Sequence, residues 1–92
     1  MARKVLGPEA IEIGRNIRRE RERCGFTGDR VRELTSIHPT SLSFIERGMQ
    51  EPSGEQLRAL ALAFNVPLTT LLGSTLEGVK PPRREKRSKR AA

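Results

Sequence analysis

Apolar positions along the chain repeat at helical spacing in three stretches separated by short polar breaks. In the first, Val31, Leu34 and Ile37 stand at i, i+3 and i+6. Thr27 is suited to accept a backbone N–H as an N-cap, and Asp29 in the first turn complements the positive end of the helix dipole. These features predict a helix from about Gly28 to Thr35. In the second stretch Leu42 and Ile45 form an apolar pair, Pro39 suits a first helical turn where its missing N–H is no loss, and Gly48 is placed for a left-handed C-cap. A helix from about Pro39 to Arg47 follows. In the third, Ser53 and Gln56 have capping-box spacing, and Leu57, Leu60, Ala61 and Phe64 repeat at i, i+3, i+4 and i+7 before a Val66-Pro67 break. Strand-like alternation is absent, so the predicted class is all-α.

Two short helices joined by a tight turn are a means of placing the second in the major groove of DNA. With Leu42 and Ile45 inward, Thr40, Phe44 and Arg47 turn outward, and Ser43 lies beside them. Residues 26–48, F-T-G-D-R-V-R-E-L-T-S-I-H-P-T-S-L-S-F-I-E-R-G, resemble the helix-turn-helix of the phage repressor and Cro family of xenobiotic-response-element type. That family shares a pattern of the form G-x-T-Q-x-x-L-A-x-x-x-G-V-S-x-x-x-I-S-x-x-E-x-G. Ile13 to Thr27 resembles its first helix and Pro52 to Gly73 its fourth and fifth, so the resemblance runs over residues 9–73 without an insertion. It implies a compact five-helix, lambda-repressor-like DNA-binding domain over 9–76, preceded by a flexible arm (1–8) and followed by a disordered basic tail (77–92). Gly28, Arg32 and Ser36 stand where the family usually has Gln, a small residue and Gly, and Glu20 stands where it commonly has an apolar one. Glu20 and Arg32 either pair across the first two helices or each reach water separately.

Length and charge narrow the partner class. A chain of 92 residues has room for one core and buries only about 60% of its unfolded surface. No apolar run approaches the roughly 18 residues of a membrane span, and the N-terminus lacks a signal-peptide core. The expected location is the cytoplasm of a bacterial or phage-infected cell, at the nucleoid. The single cysteine, Cys24, has no internal disulfide partner. Of the net charge of +7, most lies in residues 80–92, where Lys80, Arg83, Arg84, Lys86, Arg87, Lys89 and Arg90 face one acidic residue. Pro81 and Pro82 block a helix there, and a disordered run of this kind either follows DNA phosphates with salt-sensitive affinity or serves as a solubilising charge run.

The resemblance implies base contacts from Pro39, Thr40, Ser43 and Phe44, with Ser41 beside them. It implies phosphate contacts from Arg47 and Gln50 with Arg30 beside them, to which Thr27, the basic tail residues and His38, a helix-entry residue with an occasional phosphate contact, are added. Arg21 and Glu46 match a pair that the family uses as an internal salt bridge. The outward face has no Lys, Gln or Asn and only Arg47 as a cation, which favours thymine-methyl contacts by Phe44 and Thr40 and reading of DNA shape. Phe44 has two further readings, folding over the domain edge or joining a protein interface. A lone His and a lone Cys make no metal site, the hydroxyls lack a base with an orienting acid, and no Gly-rich phosphate loop is present. No enzyme, cofactor or metal is expected, and no small-molecule ligand. A homodimer is expected at least on DNA, through Leu62 or through Leu68, Leu72 and Leu76, leucines that are equally able to close the monomer core. The function read from these residues is a sequence-specific transcriptional regulator of the small phage or plasmid repressor or Cro-like kind. The alternative is an antitoxin or adaptor-type interaction module with auxiliary nucleic-acid affinity.

Overall fold

A computed structural model of the chain describes residues 4–76. Five α-helices follow in order: α1 (Pro8–Cys24), α2 (Gly28–Thr35), α3 (Pro39–Glu46), α4 (Gly54–Phe64) and α5 (Leu68–Leu72), with a closing 3-10 turn at Gly73–Leu76. Among the described residues there is no strand. The expected tail at 77–92 lies outside them.

Local chemistry sets the helix ends. Pro8 opens α1, and at its other end Gly25, in the left-handed region at φ 72°, lets Gly25 N–H reach Glu22 O and Phe26 N–H reach Arg21 O. The Ser53 hydroxyl accepts from Gln56 N–H at 3.0 Å while Gln56 Oε1 accepts from Ser53 N–H at 2.9 Å, so both halves of the capping box on α4 are made. Asn65 ends α4 in the left-handed conformation, which its short polar side chain tolerates.

The core is one cluster of Ile17, Val31, Ile37, Leu42, Ile45, Leu60, Ala61, Phe64 and Leu71. Phe26 packs against it, its ring centroid 6.3 Å from that of Phe64. Each fully buried aliphatic or aromatic side chain contributes roughly 1.5–3 kcal/mol, so α1, α4 and α5 hold the helix-turn-helix in place chiefly through this cluster. Two expectations about this region need correcting. Leu34 shares the apolar spacing of Val31 and Ile37 but is 41% exposed, because α2 is short and turns only a narrow stripe inward. Glu20 is buried, but it does not pair with Arg32, which is exposed. Its carboxylate instead meets Arg23 at 2.6 Å and Arg19 at 3.4 Å, both on its own helix. The Arg23 guanidinium holds the Glu20 carboxyl below the usual carboxylate range, outweighing burial, which pushes it up.

Two polar contacts lock α5 and the 3-10 turn onto α1. Buried Asn16 donates from Nδ2 to Leu71 O at 3.0 Å, and the Glu12 carboxylate accepts from Ser74 N–H at 2.7 Å and from the Ser74 hydroxyl. These bonds from Ser74 lower the Glu12 pKa.

Candidate nucleic-acid interface

The helix-turn-helix is built from short-range hydrogen bonds that leave one face of α3 outward. Thr27 caps α2 by accepting from Arg30 N–H at 3.0 Å. At the other end Ser36 takes φ 67°, a conformation costly for a residue with a Cβ, and its N–H bonds Arg32 O. The Thr35 hydroxyl donates to Val31 O at 2.7 Å and accepts from Ile37 N–H at 3.1 Å, which fixes the chain between the two helices. His38 caps α3: its Nδ1 accepts from Thr40 N–H at 3.1 Å. Pro39 then takes the first helical position. Glu46 is the last helical residue, with Arg47 as cap and Gly48 at φ 78° beyond it. Gly48 N–H bonds Ile45 O at 3.1 Å and Met49 N–H bonds Phe44 O at 2.8 Å, the two bonds of a Schellman end.

Three supports hold α3 from behind. Leu42 and Ile45 are buried in the core. Arg21 grips Glu46 through two parallel bonds, Nε to Oε2 at 2.7 Å and Nη2 to Oε1 at 3.1 Å, and its Nη1 donates to Phe26 O at 3.0 Å. The Glu46 carboxylate raises the Arg21 pKa further, the hydrogen bond outweighing desolvation. The third support was not foreseen from the sequence. At Gly14 a Cβ would lie within 2.7 Å of Glu46 O and closer still to Ile45 O, so α1 crosses α3 backbone to backbone. A glycine in the middle of a helix, where its backbone freedom is a cost, is the signal that marks such a crossing.

The outward positions are Thr40, Ser43 and Arg47, all exposed, with Ser41 and Phe44 half-buried at the margins. Pro39 is half-buried and exposed His38 adjoins it. Arg47 does not extend from the helix. Its Nε donates to Ser43 O at 3.3 Å, its Nη2 donates to Ser43 Oγ at 3.0 Å, and its guanidinium carbon lies 5.4 Å from the centroid of the Phe44 ring. Arg30, at the exposed start of α2, pairs with Glu33 at 2.8 Å. Half-buried Gln50 follows the Schellman end. The N-terminal segment meets the same corner, since Leu6 N–H donates to Gly48 O at 2.8 Å within the segment expected as a flexible arm. Lys80, Arg83, Arg84, Lys86, Arg87, Lys89 and Arg90 lie outside the described residues.

Among the described residues no three His, Cys, Asp or Glu side chains lie together as metal ligands would. No single helix there is long and apolar enough to cross a membrane. Leu62 is 82% exposed on α4 and Leu68 36% exposed on α5, whereas Leu71 turns into the core.

A model of the helix-turn-helix family matches residues 17–71. The chain is similar to SinR, the master regulator for biofilm formation, solved in complex with DNA: 31% identity, 66% of this chain and 98% of that one covered, TM-score 0.62. It is similar to the DNA-binding domain of BldD at 25% identity, over 71% of this chain and 94% of that one, with a TM-score of 0.63. The restriction-modification controller protein C.AhdI from Aeromonas hydrophila shares the fold at 21% identity, over 67% and 94% of the two chains, with a TM-score of 0.64. A comparison with curated proteins gave no match. The family match spans α2, the turn and α3 together with the helices that support them, and the chain belongs to the helix-turn-helix family of phage repressor and Cro type, whose members are transcription regulators and not enzymes.

Proposed function

We propose that this chain is a sequence-specific regulator of transcription that inserts α3 into the major groove of double-stranded DNA, in the manner of a small phage or plasmid repressor or Cro-like protein. One observation carries the reading. A rigidly supported eight-residue helix buries Leu42 and Ile45 and leaves Thr40, Ser43 and the capping Arg47 exposed on the opposite side. Pro39, Thr40, Ser41, Ser43 and Phe44 are the base-contacting set, with Phe44 and the Thr40 methyl group suited to thymine methyl groups. Thr27, Arg30, His38 and Gln50 flank α3 as phosphate contacts, and the basic residues of 80–90 add sequence-independent affinity. Two copies acting as a homodimer would present their reading helices to successive major grooves about 34 Å apart, and exposed Leu62 and Leu68 supply apolar surface for such pairing. The DNA-bound structure of SinR supports the same use of the fold.

Selection of binding sites from random duplexes tests the reading. The full chain should recover a motif with thymines, and Phe44→Ala should relax preference at one position. A chain ending at Val79 should keep the motif while losing affinity for all sequences and flattening the salt dependence. Recovery of no motif by the full chain would refute the proposal.

A further inference from the structure

Arg47 is the only Arg, Lys, Asn or Gln in the segment 39–47, and therefore the only residue there with the fixed donor fork that suits either phosphate or guanine. Its position at the C-terminal end of α3 suggests a phosphate contact, yet its side chain is folded back along the helix. Nε and Nη2 are both spent on Ser43, one on the carbonyl at 3.3 Å and one on the hydroxyl oxygen at 3.0 Å. The same guanidinium lies 5.4 Å from the Phe44 ring centroid, within cation–π range. One side chain thus restrains two consecutive residues of the base-contacting set.

This arrangement has a chemical consequence for Ser43. A serine hydroxyl has one proton to donate and two lone pairs to accept with. A cationic donor on one lone pair selects the rotamer that reaches it, turns the proton away from the guanidinium and polarises the O–H bond. Ser43 is left facing outward chiefly as a hydrogen-bond donor. A donor at a base edge fits the acceptors of guanine O6 or N7, adenine N7 and thymine O4, and it disfavours the amino groups of cytosine and adenine. For Phe44, a guanidinium resting on the ring limits the ring's rotation and keeps it beside Ser43, where a thymine methyl group would meet it.

We propose that Arg47 is a specificity-determining positioning residue: by holding Ser43 as a hydrogen-bond donor and Phe44 in a fixed orientation it sets which base edges α3 accepts, and it is not primarily a phosphate contact. The inference rests on the DNA-reading function proposed above and adds to it the means by which a face poor in amides and cations discriminates. Charge alone does not suffice for this role. A lysine keeps the charge but lacks the planar fork that bonds Ser43 twice while covering Phe44.

The test uses the full chain and four variants, Arg47→Lys, Arg47→Ala, Ser43→Ala and the double variant Arg47→Lys/Ser43→Ala, each taken through random-duplex selection and a salt titration. With wild-type motif in hand, Arg47→Lys should retain the slope of log affinity against log salt while losing about fivefold of preference at the base step under Ser43, the loss expected for one hydrogen bond. Ser43→Ala should lose the same preference, and the double variant should lose no more than either single one, since both changes break one unit. Arg47→Ala should relax the motif as Arg47→Lys does. The proposal is overturned if Arg47→Lys selects the wild-type motif with undiminished preference. It is equally overturned if Arg47→Ala weakens all sequences alike and lowers the salt slope by about one, the mark of a lost phosphate contact. A wild-type chain that selects no motif would overturn the parent reading as well, so the two failures are distinct.

Discussion

Replacing Gly14 with alanine places a methyl group where α1 and α3 touch through their backbones. A Cβ built on Gly14 would lie 2.7 Å from Glu46 O and 2.9 Å from Glu46 C, and nearer still to Ile45 O, whereas ordinary contact begins at 3.4 Å. At least 0.7 Å must therefore be recovered at Glu46 O, and more at Ile45 O. Helical carbonyls cannot swing aside without losing their own bonds, so the helices must separate by about 1 Å. A gap of that size forfeits roughly a quarter to a half of the dispersion energy of the atoms facing it. Overpacking of this severity costs about 3 kcal/mol, from which the better helix propensity of alanine recovers about 1 kcal/mol, leaving a net loss of about 2 kcal/mol. For a small domain with a urea m-value near 1 kcal/mol/M, the unfolding midpoint should fall by about 2 M. Gly54→Ala is the matched control, because a Cβ there meets only Arg58 Nη1 at 3.8 Å. It should leave stability unchanged or raise it by up to about 0.5 kcal/mol. A midpoint for Gly14→Ala within about 0.5 M of both wild type and control would refute a backbone crossing at this point.

Three further outcomes are expected. Ser36→Gly relieves a left-handed residue at the end of α2; the strain removed exceeds the added freedom of the unfolded chain by about 0.5 kcal/mol, which should appear as a rise of about 2–4 °C in the thermal midpoint. His38→Ala should cost about 1 kcal/mol through the lost cap on α3, and His38→Asp should restore that stability while weakening DNA binding by placing an anion at the reading helix, as paired melting and binding measurements would show. Arg23 depresses the Glu20 pKa in the folded state, so the contribution of this carboxylate is complete above its unfolded value and disappears as pH falls through the folded one; the stability gap between wild type and Glu20→Gln should narrow below a pH of about 4.5 in urea titrations.

Features written in neighbouring residues were legible in the sequence. The Thr27 cap, the Ser53–Gln56 box, the apolar pair Leu42 and Ile45, and the left-handed Gly48 each depend on side chains within a few positions, and the structure places all of them as their chemistry requires. Features that depend on distant partners were not. The bond from Asn16 to Leu71 O spans 55 residues and that from Ser74 to Glu12 spans 62. Neither has a local mark, because Asn16 and Glu12 sit on a helix crowded with other polar residues. Glu20 shows a different obstacle. An arginine at i+3 and one on the preceding residue compete for its carboxylate with any cross-helix partner, and rotamers decide between them. At the candidate interface the outward placement of Thr40, Ser43 and Arg47 follows from helical periodicity, but the return of Arg47 onto Ser43 is a side-chain conformation that spacing permits without specifying.

The buried pair Leu42 and Ile45, the Arg21–Glu46 clamp and the crossing at Gly14 all engage α3 from one side, while Thr40, Ser43 and Arg47 take no part in the core. An eight-residue helix has almost no stability as a free peptide, so its shape is borrowed from the rest of the domain. Substitutions at those outward positions should therefore carry little penalty to folding, and under the proposed function the scaffold is free to take new DNA targets without being rebuilt.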